Sequence, residues 1–200
     1  MPFPAPCFIG FRVKTVPAAE ACQMTRSAGG GAITEICNVS ECIAKAPPDW
    51  ESRWDFNDAC CYNSESEALA TVPASDDGKY ELFAYRMFPF EFVKVRRRTL
   101  DLPDAFDLDM CPVVPELDLS GFRVIGYDVA GAPIGHLGFN CSPLSCNGMC
   151  GQFPVNRFCL IEDLETAFSV ADEFGRIEPE PGPFYLYQVL RKRSDRWHHT

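Results

Sequence analysis

Gly10-Phe11-Arg12-Val13 and Gly121-Phe122-Arg123-Val124 place the same four residues at the head of two β-rich stretches. Further matches follow in the same order. Gly31 stands six residues before Cys37, and Gly135 six before Cys141. Cys37 and Cys42 are spaced C-x4-C, as are Cys141 and Cys146. Asn57-x-x-Cys60 returns as Asn156-x-x-Cys159, with Trp54 and Phe153 each three residues ahead of the Asn. Ala68 and Ala167 fall in short helical stretches, and Tyr80-Glu81-Leu82-Phe83 closes the first half as Phe184-Tyr185-Leu186-Tyr187 closes the second. Each match alone is a short coincidence, but a collinear set with insertions in loop-like runs such as Ala46-Pro47-Pro48-Asp49 reads as an internal duplication.

The pattern predicts an α+β chain of two similar β-β-α-β halves, with mainly antiparallel sheets and one short helix in each half. The expected divisions are a first half at 1–99, an acidic, Pro-containing linker at 100–119, a second half at 120–192 and a polar tail at 193–200. The linker carries Asp101, Asp104, Asp107, Asp109, Glu116 and Asp118 with no basic residue. In the second half, Phe122 to Val129 reads as a strand ending at the turn signal Ala130-Gly131-Ala132-Pro133, and Ile134 to Asn140 as a second short strand. Cys141 to Asn156, rich in Ser, Pro, Asn and Gly, reads as an ordered loop.

Glu162 to Phe174 reads as the best helix. Leu160, Leu164, Ala167, Phe168, Ala171 and Phe174 recur at helical spacing, and acidic Glu162, Asp163 and Glu165 suit the positive end of the helix dipole. Gly175 is the expected residue just past its end. Ser64 with Glu67 forms a capping box for a helix from Glu65 to Thr71. Phe184 to Leu190 is apolar at both alternating sets of positions, which predicts a strand covered on both faces at the centre of a sheet.

Composition bounds the function. The 200 residues include 46 % apolar and 23 % charged side chains, enough apolar surface to offset the ordering entropy of a globular fold. A net charge of −10 disfavours general nucleic-acid or anionic-membrane binding and suits a basic protein partner. Arg96-Arg97-Arg98 and Arg191-Lys192-Arg193 run against that trend and read as solvated strand ends. No apolar run approaches the roughly 20 residues that span a bilayer. The opening Met1 to Arg12 has no basic n-region and its apolar stretch is broken by proline. The expectation is a cytoplasmic protein, whose 11 cysteines are thiols or ligands rather than bridges.

Among those cysteines, Cys141-x4-Cys146-x3-Cys150-x8-Cys159 supplies four thiolates in a loop-rich stretch, a complete shell for zinc, with His136 as a substitute ligand. Neither half has the C-x2-C knuckle that marks structural zinc most reliably. Buried thiols packing as small apolar groups are the competing reading. A thiol enzyme needs a base, and His136, Cys141 and Asn156 have the residue types of a Cys-His-Asn set. Phosphate-loop, G-x-S-x-G and H-E-x-x-H patterns are all missing from the chain. The leading expectation is a non-enzymatic, acidic protein-binding module, of the inhibitor or immunity type or an accessory subunit. A zinc-like metal module and a cysteine-dependent enzyme are the alternatives.

Overall fold

The structure is a computed structural model of the full chain. It describes residues 5–40, 43, 45–48, 61–76, 78–88, 117–131, 141–177, 179 and 184–192. Most of the 100–119 linker, the strand expected at 134–140, the Arg96-Arg97-Arg98 cluster and the 193–200 tail lie outside these residues.

The fold is α+β. Four strands form one antiparallel sheet: β1 (Cys7–Thr15), β2 (Tyr80–Met87), β3 (Phe122–Gly131) and β4 (Phe184–Lys192), in the order β1-β2-β4-β3. The described strands therefore make a single sheet, where sheets were expected. β4 lies at its centre, as its two apolar faces require, and is antiparallel to β2 through pairs such as Tyr85 with Val189 and Met87 with Tyr187. The two outer strands are each disturbed at one place. The β1 register shifts between Phe8 and Gly10, and the β3 register between Val124 and Gly126. Gly10 and Gly126 sit at φ 139° and 148°, a backbone region that side chains with a Cβ rarely adopt.

Both sheet edges are closed by their own chain. Phe11 exchanges backbone hydrogen bonds with Tyr62, and Tyr127 exchanges them with Ile161. The Thr15 N–H donates to the Lys45 carbonyl, and the Gly131 N–H to the Cys141 carbonyl. These contacts consume edge groups that would otherwise template pairing with another strand.

The helices lie on one face of the sheet. Helix α1 (Glu65–Leu69) packs on β1 and β2, starting at the expected capping box: the Glu67 N–H donates to Ser64 Oγ, and the Ser64 N–H to Glu67 Oε2. Helix α2 (Pro143–Cys146) is a single turn where a loop was expected, with proline at a first-turn position that needs no N–H partner. Helix α3 (Leu164–Ile177) packs on β3 and β4 and buries Ala167, Phe168, Val170, Ala171 and Phe174. It begins at Asp163, whose Oδ1 accepts the Thr166 N–H at 2.8 Å. It also runs through Gly175, the expected stop. The extra turn is held by Arg176, which pairs with Asp172 and Glu173, an offset to the roughly 1 kcal/mol that an interior glycine costs.

Under α1 the core joins Phe11, Val13, Leu82, Ala84 and Leu190 with Tyr62, Ala68 and Phe122. Leu117 and Leu119, at the end of the acidic linker, pack against it. Under α3 the core joins Val129, Phe184 and Leu186 to the helix stripe. The opposite face, bearing Phe83, Tyr85, Tyr185, Tyr187 and Val189, carries no helix from this set. It is covered by chain segments bearing Cys37, Val39, Cys61, Phe158 and Leu160.

Candidate functional site

The loop-covered face holds charged groups that the sequence does not mark as buried. Strand parity points Arg12 and Lys14 of β1, Asp128 of β3 and Arg191 of β4 into it. All four are buried, with Lys14 1 % and Asp128 0 % exposed. A charge at such depth needs compensation, because an isolated one costs far more than a fold can supply.

Asp128 is the organising group. Its Oδ1 accepts Ser142 Oγ at 2.7 Å and Asn38 Nδ2 at 2.9 Å, and its Oδ2 accepts the Val39 N–H at 2.7 Å. Asn38 Nδ2 also reaches the Cys159 carbonyl at 3.0 Å and Ser142 Oγ at 3.1 Å. The Lys14 ammonium donates to the Asn38 carbonyl and lies 5.1 and 5.6 Å from the ring centres of Phe83 and Tyr85. Burial pushes the Asp128 carboxyl above its ordinary pKa, against the pull of the Ser142, Val39 and Asn38 donors and of Lys14. Lys14, Asn38 and Val39 belong to the first half, and Asp128, Ser142 and Cys159 to the second, so the centre joins the two.

A second ionic knot lies nearby. Arg191 Nη1 meets Glu35 Oε2 at 2.5 Å and Arg191 Nη2 meets Glu81 Oε1 at 3.2 Å, with the arginine side chain 5 % exposed. Burial works against the guanidinium charge, and the hydrogen bonds to Glu81 and Glu35 outweigh it. Arg191 is thus no solvated strand end. Lys192, its neighbour, pairs with Glu65 of α1. Cys37 lies beside this knot, its thiol pushed up to about 12 by burial despite Arg191 and Lys14. It is a packed, unreactive group of the kind that competed with the metal reading.

The cysteines Cys141, Cys146, Cys150 and Cys159 take different surroundings. Cys150 and Cys159 are buried, and Cys150 Sγ donates to the Gly148 carbonyl at 3.8 Å. Cys146 Sγ lies 2.8 Å from Ser40 Oγ. Cys141 is half-buried at the edge of β3, its carbonyl taken by Gly131. Among the described residues no group of three or more His, Cys, Asp or Glu side chains is gathered so as to hold a metal ion. Of the Cys-His-Asn set, His136 lies outside the described residues. Asn156 is committed to the backbone: its Nδ2 donates to the Ile125 carbonyl at 2.8 Å and its Oδ1 accepts the Phe158 N–H at 2.9 Å.

The matched cysteine loops also part company. Cys37-Asn38-Val39 crosses into the second half, where the Cys37 N–H donates to the Phe158 carbonyl and Asn38 meets Ser142 itself. At the sheet edge the Gly131 N–H bonds the Cys141 carbonyl, while the Thr15 N–H bonds the Lys45 carbonyl and not that of Cys37. The β1 register shift falls at Gly10 itself, whereas the β3 shift falls at Gly126, five residues beyond the Gly121 of the sequence match.

Comparison with models of protein families, with curated proteins and with solved structures gave no match. No helix among the described residues is long and apolar enough to cross a membrane.

Proposed function

We propose that the chain is an intracellular, non-enzymatic binding module whose acidic exterior meets a basic protein partner. The observation that supports this most is the placement of charge. Among the described residues the interior holds three cations, Arg12, Lys14 and Arg191, against one carboxylate, Asp128. A chain with net charge −10 thereby turns positive groups inward and leaves negative ones outside. The outer face of α3 and its approach expose Glu162, Asp163, Glu165 and Asp172, with Arg176 already paired to Asp172 and Glu173. Such a field accelerates encounter with a positive surface more than it fixes affinity.

The test is affinity capture from a cell extract followed by stopped-flow association of the captured protein. The expected partner is basic, with an association rate that falls at least about tenfold between low and physiological ionic strength. A neutral or acidic partner, or a rate indifferent to salt, would overturn the reading. Holding zinc with Cys141, Cys146, Cys150 and Cys159 would require their sulfurs to gather about 2.3 Å from one centre. Elemental analysis of the purified chain separates that alternative.

The duplication belongs to the same proposal. Two β-α-β units, β1-α1-β2 and β3-α3-β4, would descend from one ancestor. Support comes from the bulge glycines Gly10 and Gly126, the edge pairs Phe11–Tyr62 and Tyr127–Ile161, and the antiparallel β2–β4 junction. The helices add Ala68 and Ala167, each donating its N–H to the residue capping its helix, Ser64 and Asp163.

A further inference from the structure

We infer that the helix-bearing face of the sheet carries a binding cleft for a small organic monocarboxylate, floored by Arg86, Gln188 and Tyr127. The site begins with the strand register. Phe8 of β1 stands directly opposite Arg86 of β2, Arg86 opposite Gln188 of β4, and Gln188 opposite Tyr127 of β3. Directly opposed residues share a face of the sheet, so these side chains form one row across all the strands. The face is the one that bears the helices. Phe8 packs beside Phe11 in the core under α1, and Tyr127 beside Phe88 in the core under α3.

The row runs between those two cores. Along β4, Leu190 belongs to the core under α1 and Leu186 to the core under α3, and Gln188 stands between them on the same face. Along β2, Ala84 and Phe88 bracket Arg86 in the same way. The bracketing residues are buried, whereas Phe8, Arg86, Gln188 and Tyr127 are each half-buried. Helix α1 packs on β1 and β2, and α3 on β3 and β4, so the sheet stays open along the seam between them. Val124, opposite Leu190 and 48 % exposed, extends the opening along β3.

The polar groups of this floor have donors to spare. Arg86 Nη1 reaches Gln188 Oε1 at 3.5 Å, and Gln188 Nε2 reaches the Tyr127 hydroxyl at 3.4 Å. Both are longer than the roughly 3 Å of a firm hydrogen bond. Among the described residues Arg86 pairs with no carboxylate, so most of its guanidinium fork is left for a ligand. Gln188 donates to the Tyr127 oxygen, which leaves the tyrosine proton to donate outward.

Charge and shape set the ligand class. One guanidinium neutralises one negative charge, and its paired N–H groups match the two oxygens of a carboxylate. A phosphate dianion would keep surplus negative charge in the field of a chain at −10. The rings of Phe8 and Tyr127 and the side chain of Val124 offer apolar contact to the rest of the molecule, along a row about 14 Å long. Few convergent polar groups among apolar walls are the usual make-up of a small-molecule site.

The experiment records amide NMR spectra of the nitrogen-labelled full-length chain during titration with phenylacetate, its neutral counterpart phenylacetamide, and phenyl phosphate. Phenylacetate should saturate with a Kd of about 1 mM or below and shift the amides of Arg86, Tyr127 and Gln188. Phenylacetamide and phenyl phosphate should each bind at least about tenfold more weakly. Arg86→Gln, whose own spectrum reports whether it is folded, should lose at least about tenfold in phenylacetate affinity, and Arg86→Lys should lose less. The comparison of acid with amide on the wild-type chain decides the matter if the variants do not fold. The inference is overturned if phenylacetate gives no saturable shift below about 10 mM or shifts amides elsewhere. Equal binding of phenylacetamide, tighter binding of phenyl phosphate, or unchanged affinity in folded Arg86→Gln would overturn it as well.

Discussion

Replacing Asp128 with Asn changes one atom and removes the charge on which the buried centre turns. Three donors converge on the carboxylate: Ser142 Oγ and Asn38 Nδ2 on one oxygen, and the Val39 N–H on the other at 2.7 Å. An amide keeps one acceptor and presents an N–H group at the second position, so one donor loses its partner in a site that is 0 % exposed. An orphaned buried N–H costs about 1–3 kcal/mol. Lys14, 1 % exposed and bonded to the Asn38 carbonyl, also loses the longer-range attraction of that charge. The desolvation cost that raises the Asp128 pKa disappears in the variant and offsets part of this loss. Asp128→Asn should therefore lose about 1–3 kcal/mol in urea denaturation followed by circular dichroism, or roughly 2–12 °C in Tm for a chain of this size. Lys14→Met in the same background should recover at least about 1 kcal/mol relative to the sum of the single changes, because the two residues share one network. A loss under about 1 kcal/mol, or strict additivity, would refute the reasoning.

The sign of the Asp128 shift gives a pH prediction. A carboxyl whose folded pKa is raised stabilises the fold when protonated and loses that contribution as pH climbs from the unfolded to the folded pKa. Wild type should thus lose more stability than Asp128→Asn over the rise above about pH 4, as paired urea titrations will show; parallel curves would contradict this. Gly126→Ala would place a Cβ 2.7 Å from Leu160 Cβ and 2.9 Å from the Ile161 carbonyl at φ 148°, and should cost at least about 2 kcal/mol. Gly121→Ala meets open space and should stay within about 0.5 kcal/mol. Equal effects of the two in denaturant midpoints would contradict the close packing at Gly126. Asp163→Ala deletes the cap of α3 and should cost about 1 kcal/mol near neutral pH. The hydrogen bonds from Thr166 lower the Asp163 pKa, so that contribution should fade as pH drops through the folded pKa, and a pH-independent difference would count against it.

Local physics carried the sequence reading where one residue and its near neighbours decide the outcome. The Ser64–Glu67 capping box, the apolar stripe of α3 and the doubly covered strand at Phe184 are such cases, and each stands in the structure. The reading failed where distant segments decide. Arg191 reads as a solvated strand end until Glu35 and Glu81 are brought to it across the sheet. The Gly-Phe-Arg-Val match is exact in letters, yet the β1 register shift falls at its first glycine, Gly10, and the β3 shift five residues past its second, at Gly126, because a bulge has no signature stronger than a glycine in a strand. Cys37 and Cys141 share a spacing, yet one is locked beneath Arg191 and the other borders β3. The buried centre left one legible trace: Arg12 and Lys14 in β1 and Asp128 in β3 are charges at inward-facing positions of largely apolar strands. A charge at an inward-facing strand position asks for a partner, and sequence alone does not supply its address.

The claim on which the account depends is that first-half residues 38 and 39 are locked into the second half by Asp128. Native-state hydrogen exchange of the Val39 amide measures this directly. The amide should exchange only through global unfolding, as slowly as those of β2 and β4, and should become selectively faster in Asp128→Asn. A Val39 amide that exchanges in wild type at the rate of an exposed loop would contradict the account.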